Sequence, residues 1–375
     1  MKIAFTAPMK PLDHPVPSGD RTMGRLIVKA LRAAGHEIEV ASTFRSWRKD
    51  GSDELQSKVK AEALKEVSRI ANTWKYDGSK PDLFLTYHLY HKAPDWIGPA
   101  LAERFDLPYA IIEASRAPKR KTGNWAFGFA AADTALRQAD AVAAIHNADA
   151  ECLREVVPAD RLEVLLPFLD AEPYQQAAST AKPPAAAPLK LLAVGMMREG
   201  DKFRSYQVLA GALDRLMQLP WHLTLIGDGP VRSQVVDLFP ADRITYLGAL
   251  GAKELPAQYA QHDLVVWPAI REAFGLVLME AQAAGTGVVA GNTFGVPDIV
   301  RQGETGLLSQ EGDVEAFAAH LENIIKNPGI ADRLGMAASA YISANHSLEA
   351  GAARLDLFAR KAVENHKRTQ KDQGI

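Results

Sequence analysis

The sequence predicts an α/β protein made of two doubly wound domains, each a parallel sheet covered by helices. Three observations predict it. The 375 residues exceed the roughly 100–200 residues of an ordinary domain. Short apolar, strand-like runs alternate with helical stretches in two successive series. A segment rich in Ala and Pro, residues 171–188, separates the two series and is typical of a linker.

The first series opens with a βαβ unit. Residues 3–5 form a short apolar strand, six apolar residues between Met23 and Ala34 recur at helical spacing, and Gly35 is placed to end that helix. A charged segment, 45–80, is helical in composition. The further strands of this domain, residues 1–170, are predicted at 37–41, 82–86, 108–112, 141–145 and 162–166, with a helix over 96–105.

The second series, over residues 189–345, again alternates apolar strands with helices. Its strands are predicted at 189–194, 222–226, 244–247, 263–267 and 288–290, with helices from about 205 to 218 and from near Gly275. We expect the last segment, 346–375, to be a helix that packs back toward the N-terminal domain. Paired domains of this type bind ligands at the carboxyl ends of their strands, so a cleft between the two is expected.

Composition excludes several functions. With 43 Lys and Arg against 45 Asp and Glu, the net charge of -2 argues against bulk nucleic-acid binding. The single cysteine, Cys152, excludes a disulfide framework and any CxxC metal or redox site. The apolar run at the N-terminus is too short for a signal peptide, and no 18-residue apolar stretch occurs. We therefore expect a cytoplasmic protein that is at most peripheral on the inner face of the plasma membrane.

The most informative segment is 267–285. Glu272 follows a strand in a loop, and Glu280 lies on the helix that begins near Gly275. Two carboxylates can chelate vicinal hydroxyls, while the free N–H groups of residues 274–276 can receive phosphate oxygens. This arrangement suits a nucleotide sugar. By themselves, two glutamates eight residues apart would equally fit a helix cap and a solvated face.

Residues 271–285 read Arg-Glu-x-Phe-Gly-Leu-x3-Glu-Ala-x-Ala-x-Gly. The run resembles the E-x7-E motif of family 4 glycosyltransferases, which have the GT-B fold, and the segments at 194–195, 226–230, 295–300 and 303–308 sit at that family's spacing. The resemblance implies two Rossmann-like domains facing each other across a cleft. It also implies a retaining enzyme. Because no Asp-x-Asp metal pair lies near the donor loops, we expect the transfer to need neither a metal ion nor a cofactor. Such an enzyme moves a sugar from a nucleotide-diphosphate sugar to a hydroxyl acceptor, in bacterial polysaccharide or glycolipid biosynthesis.

The same resemblance assigns roles to residues of the C-terminal domain. Glu272 and Lys202 become the catalytic candidates, since Glu272 contacts donor-sugar hydroxyls and Lys202 neutralises the leaving diphosphate. Glu280 binds the ribose. The backbone of Gly195, Phe274, Gly275 and Leu276 approaches the donor. Met196 stands where the family has an arginine, so Arg198 either supplies that charge from two residues on or is an ordinary surface arginine.

In the N-terminal domain, the segment Ser18-Gly19-Asp20 resembles the family's glycine loop over the acceptor and donor phosphates, or it is an ordinary turn. Glu113 stands where the family often has a histidine, and it either hydrogen-bonds the sugar or acceptor or caps the following segment. His88 and His91 follow a strand and are candidates to line the acceptor side. Neither cysteine nor clustered carboxylates accompany them in the sequence, so no metal is expected.

Two interpretations stay open. A basic cluster, Arg116 with residues 119–121, either docks to anionic lipid or a phosphorylated acceptor, or is a solvated loop. The departures at Met196 and Glu113 favour an alternative to the enzyme, namely a catalytically silent GT-B subunit or regulator that binds a sugar nucleotide.

Overall fold

A computed structural model describes residues 1–16, 18–179, 183–273 and 275–372. The chain forms two compact units. The first is Met1–Leu166 together with Glu349–Ile375, and the second is Pro167–Leu348. Each unit contains a six-stranded sheet, and the paired strands of both sheets run parallel.

The first sheet has the order β2-β1-β3-β4-β5-β6. Strand β2 is added on one side of β1 and β3 to β6 on the other, so the strand order reverses between β1 and β3. Its strands are β1 Lys2–Thr6, β2 Glu37–Ser42, β3 Leu83–Leu89, β4 Tyr109–Ala114, β5 Ala141–Ala144 and β6 Leu162–Val164. Its helices are α1 Gly19–Ala33, α2 Asp53–Asp77, α3 Gly98–Phe105, α4 Ala126–Gln138 and α5 Asn147–Leu153. Ligand sites of such sheets lie where the strand order reverses.

Helix α1 forms as the apolar spacing predicts. Met23, Ile27 and Leu31 are buried on one face, and each large apolar side chain buried this way stabilises the fold by about 1.5–3 kcal/mol. Ser18 caps the helix by accepting a hydrogen bond from the Arg21 N–H. Gly35 follows the helix with φ +84, the left-handed conformation that glycine adopts without a steric penalty. The helix therefore places Gly19 and Asp20 in its first turn.

The second sheet has the order β12-β11-β10-β7-β8-β9, with its reversal between β7 and β10. Its strands are β7 Leu189–Val194, β8 Trp221–Ile226, β9 Ile244–Tyr246, β10 Leu264–Trp267, β11 Gly287–Asn292 and β12 Gly306–Gln310. The helices of this unit are α6 Glu172–Ala178, α7 Asp201–Asp214, α8 Arg232–Val236, α9 Leu255–Gln261, α10 Leu276–Ala283, α11 Val296–Ile299, α12 Val314–Lys326 and α13 Gly329–Asn345.

The structure corrects some of these expectations. Helix α7 begins at Asp201 and not at about 205, because Gly200, with φ +83, ends the preceding loop. Lys202 therefore lies in the first turn of a helix rather than in a loop. Strand β12 was not predicted. The segment 171–188, expected as a linker, contains α6, which packs against α9 and α10.

The last helix, α14 Leu348–Asp372, packs within the first unit. The Asn365 side chain donates a hydrogen bond to the Asp140 carbonyl at 2.8 Å, and Lys361 forms an ion pair with Glu163. The end of the chain thus returns to the N-terminal sheet.

Candidate functional site

The loops at the carboxyl edge of the second sheet are joined by backbone hydrogen bonds. Gly195 N–H donates to Ile226 O at 3.0 Å, and Gly227 N–H donates to Gly248 O at 2.8 Å. A Cβ atom on Gly227 would lie 1.9 Å from the Gly195 carbonyl oxygen, so only glycine permits this approach. The glycine run after β8 therefore fixes the loop after β7, and Gly195 is held in place before any ligand binds.

The loop from β10 to α10 is held in an unusual conformation. Ala269 and Arg271 have φ values of 55 and 48, a region that non-glycine residues rarely occupy. Two hydrogen bonds fix it, because Ile270 N–H donates to the Ser205 hydroxyl at 3.0 Å and Arg271 N–H donates to Glu311 at 3.2 Å. Backbone strain of this kind persists where the surroundings impose it.

Gly275, with φ 71, forms the N-cap of α10. The first N–H groups of a helix lack partners within it and carry partial positive charge. Gly275 and Leu276 thus present donors suited to an anion at the edge of the sheet. Phe274, which was expected to contribute a third N–H, lies outside the described residues.

Lys202 and Glu272 form an ion pair, with side chains 18% and 17% exposed. The Trp267 indole N–H also donates to the same carboxylate oxygen at 3.2 Å, and the Lys202 ammonium lies 5.2 Å from the centre of the Trp267 ring. The two predicted catalytic residues are therefore brought together. Trp267 was missed by sequence reasoning, because a tryptophan at the end of a buried strand carries no signal of a polar contact.

Glu280 lies on α10, half-buried, between two tyrosines. The Tyr259 hydroxyl donates to its carboxylate at 2.7 Å. Burial raises the pKa of Glu280, and hydrogen bonds from Tyr259 and Tyr174 partly offset this rise. Tyr174 belongs to the segment expected as a linker and Tyr259 to α9, so neither was identified from the sequence. The two phenols orient the carboxylate that is expected to bind a ribose.

Arg198 is exposed, and it forms no ion pair within the described ranges of the chain. Met196 beside it is 47% exposed. The structure thus leaves both interpretations of Arg198 open.

A second group of predicted residues converges at the carboxyl edge of the first sheet. Asp20 comes from the first turn of α1, His88 from β3 and Glu113 from β4. The His88 Nδ1 atom lies 3.2 Å from Asp20 Oδ1 and 3.2 Å from Glu113 Oε1. Glu113 thus contacts His88 and does not act as a cap. The premise that no carboxylates cluster around this histidine was wrong.

Electrostatics couple the three residues. Burial raises the pKa of Glu113, and the charge of His88 opposes this rise. Burial disfavours the charged form of His88, but Glu113 and Asp20 together raise its pKa. His88 and Glu113 also have φ values of 62 and 60, so both side chains are held toward the cluster by left-handed backbone.

The expected basic cluster is only partly free. The Arg116 side chain is 8% exposed and its Nε lies 2.9 Å from Asp133, so it is not available to a lipid or phosphate. Lys119 and Lys121 are exposed. Within the described ranges, no helix is both long and apolar enough to cross a bilayer.

One known protein family matches most of the second unit in sequence. Residues 188–327 match the family described as Glycosyl transferases group 1. Residues 188–327 are therefore similar to a group 1 glycosyltransferase domain, and the matched stretch includes the segments that carry Lys202, Glu272 and Glu280.

Two relatives show how far the similarity extends. The sulfoquinovosyl transferase SQD2 of Arabidopsis thaliana is 33% identical over 154 residues, covering 40% of this chain and 30% of the relative. A D-inositol 3-phosphate glycosyltransferase of Corynebacterium efficiens is 31% identical over 207 residues, covering 51% of this chain and 47% of the relative. The chain thus spans about a third to a half of the length of these relatives.

Solved structures share the whole fold. Sucrose-phosphate synthase from Thermosynechococcus elongatus superimposes with a TM-score of 0.73 at 20% identity, covering 96% of this chain and 98% of that one. HepE from Anabaena, solved in complex with UDP-glucose, gives 0.67 at 16% identity, covering 95% and 98%. The prediction of two Rossmann-like domains of the GT-B class is confirmed.

Proposed function

We propose that this protein is a retaining glycosyltransferase. It moves a sugar from a nucleoside-diphosphate sugar to a hydroxyl acceptor, and its transfer step needs neither a metal ion nor a cofactor. The observation that carries the proposal is the Lys202–Glu272 ion pair beside the N-terminus of α10, within a group 1 glycosyltransferase domain. HepE was solved with UDP-glucose, and the Corynebacterium relative is named for inositol 3-phosphate; both support this donor and acceptor chemistry.

The chemistry follows from where positive charge lies. Breaking the bond to the anomeric carbon leaves negative charge on the diphosphate, and preorganised donors stabilise such charge most effectively. In the proposed complex Lys202 and the N–H groups of Gly275 and Leu276 face the diphosphate. Lys202 then exchanges its contact with Glu272 for one with a phosphate oxygen.

Glu272 keeps a partner during that exchange. The Trp267 indole N–H holds its carboxylate at 3.2 Å, so the second oxygen stays oriented toward the sugar hydroxyls. The acceptor hydroxyl attacks the anomeric carbon on the face of the leaving group, and the departing phosphate takes the proton. This front-side route retains the anomeric configuration and requires no protein nucleophile.

Glu280 is assigned to the ribose. Vicinal ribose hydroxyls donate to an ionised carboxylate, and the Tyr259 hydroxyl, which donates at 2.7 Å, fixes the carboxylate in one orientation. Because burial raises the pKa of Glu280, the ionised form that accepts both hydroxyls becomes more populated as the pH rises.

The test is a panel of nucleoside-diphosphate sugars incubated with the protein and mixed acceptors, with free nucleoside diphosphate as the readout. We expect at least one donor to be consumed, with the product anomer, read by proton NMR, matching the donor. Glu272→Gln should abolish the reaction, whereas Arg204→Gln, an exposed change on α7, should preserve it. Donor binding without release in every acceptor mixture would overturn the enzyme assignment and favour the silent sugar-nucleotide binder.

A further inference from the structure

The first unit contains a cluster, Asp20, His88 and Glu113, that the proposed transfer step does not use. The three residues offer one ligand atom each, and these atoms lie within 4.8 Å of one another. They come from the first turn of α1 and from two neighbouring strands, β3 and β4. Their side chains meet at the sheet edge where the strand order reverses.

Two polar atoms of the cluster make no aligned hydrogen bond. Glu113 is 8% exposed; its Oε2 atom makes no aligned hydrogen bond within the described ranges, although the Tyr87 hydroxyl lies near enough to lower the pKa of Glu113. His88 Nδ1 also lacks an aligned hydrogen bond, and its two contacts of 3.2 Å are ion-pair contacts with Asp20 and Glu113, which raise the pKa of His88. A buried polar atom without a partner costs about 1–3 kcal/mol. A group that satisfies several of these atoms at once would remove that cost.

The charge around the cluster is negative. Asp149 lies close enough to raise the pKa of Glu113, although its own carboxylate accepts a hydrogen bond from the Ser115 hydroxyl at 2.7 Å. The opposing positive charges are His88, which acts on both carboxylates when it is protonated, and Lys10, which acts on Asp20. A water that bridges all three groups has to accept from an Nδ1–H and donate to both carboxylates, so it requires a proton on His88 Nδ1. A cation is the ligand that accepts lone pairs from all three.

We propose that Asp20, His88 and Glu113 bind one divalent transition-metal cation, such as Zn²⁺ or Mn²⁺. Four-coordinate sites with bonds of about 2.0–2.1 Å hold their ligand atoms roughly 3.3 Å apart, close to the two separations of 3.2 Å observed here. One imidazole with two carboxylates suits Zn²⁺, Mn²⁺ or Co²⁺ better than an all-oxygen site would. The three residues belong to the first unit, whereas Lys202, Glu272 and Glu280 belong to the second.

The test uses Co²⁺ as a spectroscopic probe of the full chain after treatment with a chelator. We expect visible d–d absorption that saturates at one equivalent and is displaced by Zn²⁺. Glu113→Gln and His88→Ala should each weaken Co²⁺ binding by about tenfold or more. Asp149→Asn is the matched control, because it removes a nearby charge but no ligand, and one equivalent should still bind.

Fold integrity is checked by circular dichroism and the unfolding midpoint of each variant. If Glu113→Gln does not fold, Asp20→Asn serves in its place, since the Asp20 side chain is 29% exposed. Absence of a saturable Co²⁺ spectrum in the wild-type chain would overturn the proposal. An unchanged spectrum in folded His88→Ala, or thiolate absorption from Cys152, would do so too.

Discussion

Replacing Lys202 by Met tests the proposed leaving-group chemistry. The substitution keeps the length and apolar stem of the side chain and removes its charge. Lys202 is 18% exposed at its side chain and contacts both Glu272 and the Trp267 ring. Since Trp267 still donates to Glu272, the carboxylate is not left without a partner, and we expect the fold to persist.

The magnitude follows from the charge that Lys202 faces. At an effective dielectric constant of about 20, two unit charges about 4 Å apart interact by about 4 kcal/mol. Removing one preorganised donor to a developing charge typically lowers kcat by about 10²–10³. We expect a loss of that size in kcat for Lys202→Met. Donor affinity should fall less, because the charge grows as the bond breaks.

Single-turnover release of nucleoside diphosphate measures this step directly, with Arg204→Gln as the control on the same helix. In a double-mutant cycle on the free energy of unfolding, Lys202→Met should cost less in a Glu272→Gln background than in the wild type, because the two side chains form an ion pair and contacting residues couple. A folded Lys202→Met protein with a wild-type single-turnover rate would refute the reasoning.

Three further predictions concern residues around the two units. Gly227→Ala should lower both stability and nucleoside-diphosphate affinity, since its Cβ would lie 1.9 Å from a carbonyl oxygen of the neighbouring loop. An unchanged unfolding midpoint together with an unchanged affinity in calorimetric titration would contradict this. Tyr174→Phe removes one phenol hydrogen bond to Glu280 and should raise the KM for the nucleotide sugar by about threefold to tenfold. A variant with a lower kcat and an unchanged KM would argue against a role in donor binding. Burial and nearby basic side chains lower the pKa of His91 to about 4. The unfolded chain therefore binds a proton before the folded one, and stability falls as the pH drops from about 6.5 toward 4. His91→Gln should flatten this pH dependence of the unfolding midpoint, and an unchanged profile in the folded variant would contradict the prediction.

Most of the fold could be predicted because strands of a parallel sheet are buried on both faces and therefore read as apolar runs. Strand β12 was not predicted because Gly306–Gln310 contains only two large apolar residues, Leu307 and Leu308. Helix α6 escaped because the composition around it is typical of a linker. Its Pro173 occupies the first turn, where proline is tolerated, and Tyr174 finds its partners only in the folded unit.

The candidate site, too, could be predicted only in part from the sequence. The spacing of Glu272 and Glu280 could be read locally, since a loop followed by a helix fixes both positions. Their partners could not, because Tyr259 lies on another helix and nothing in the sequence marks the indole of Trp267, five residues before Glu272, as a donor to its carboxylate. Likewise the carboxylates that meet His88 come from distant segments, and only the strand order of the first sheet brings them together.

The central claim is that the second unit holds the diphosphate of a sugar donor between Lys202 and the start of α10. A crystal structure with a bound nucleoside-diphosphate sugar tests it most directly. We expect diphosphate oxygens within hydrogen-bond distance of Lys202 Nζ and of the Gly275 or Leu276 N–H, and sugar hydroxyls on Glu272. A diphosphate bound away from these groups would contradict the assignment.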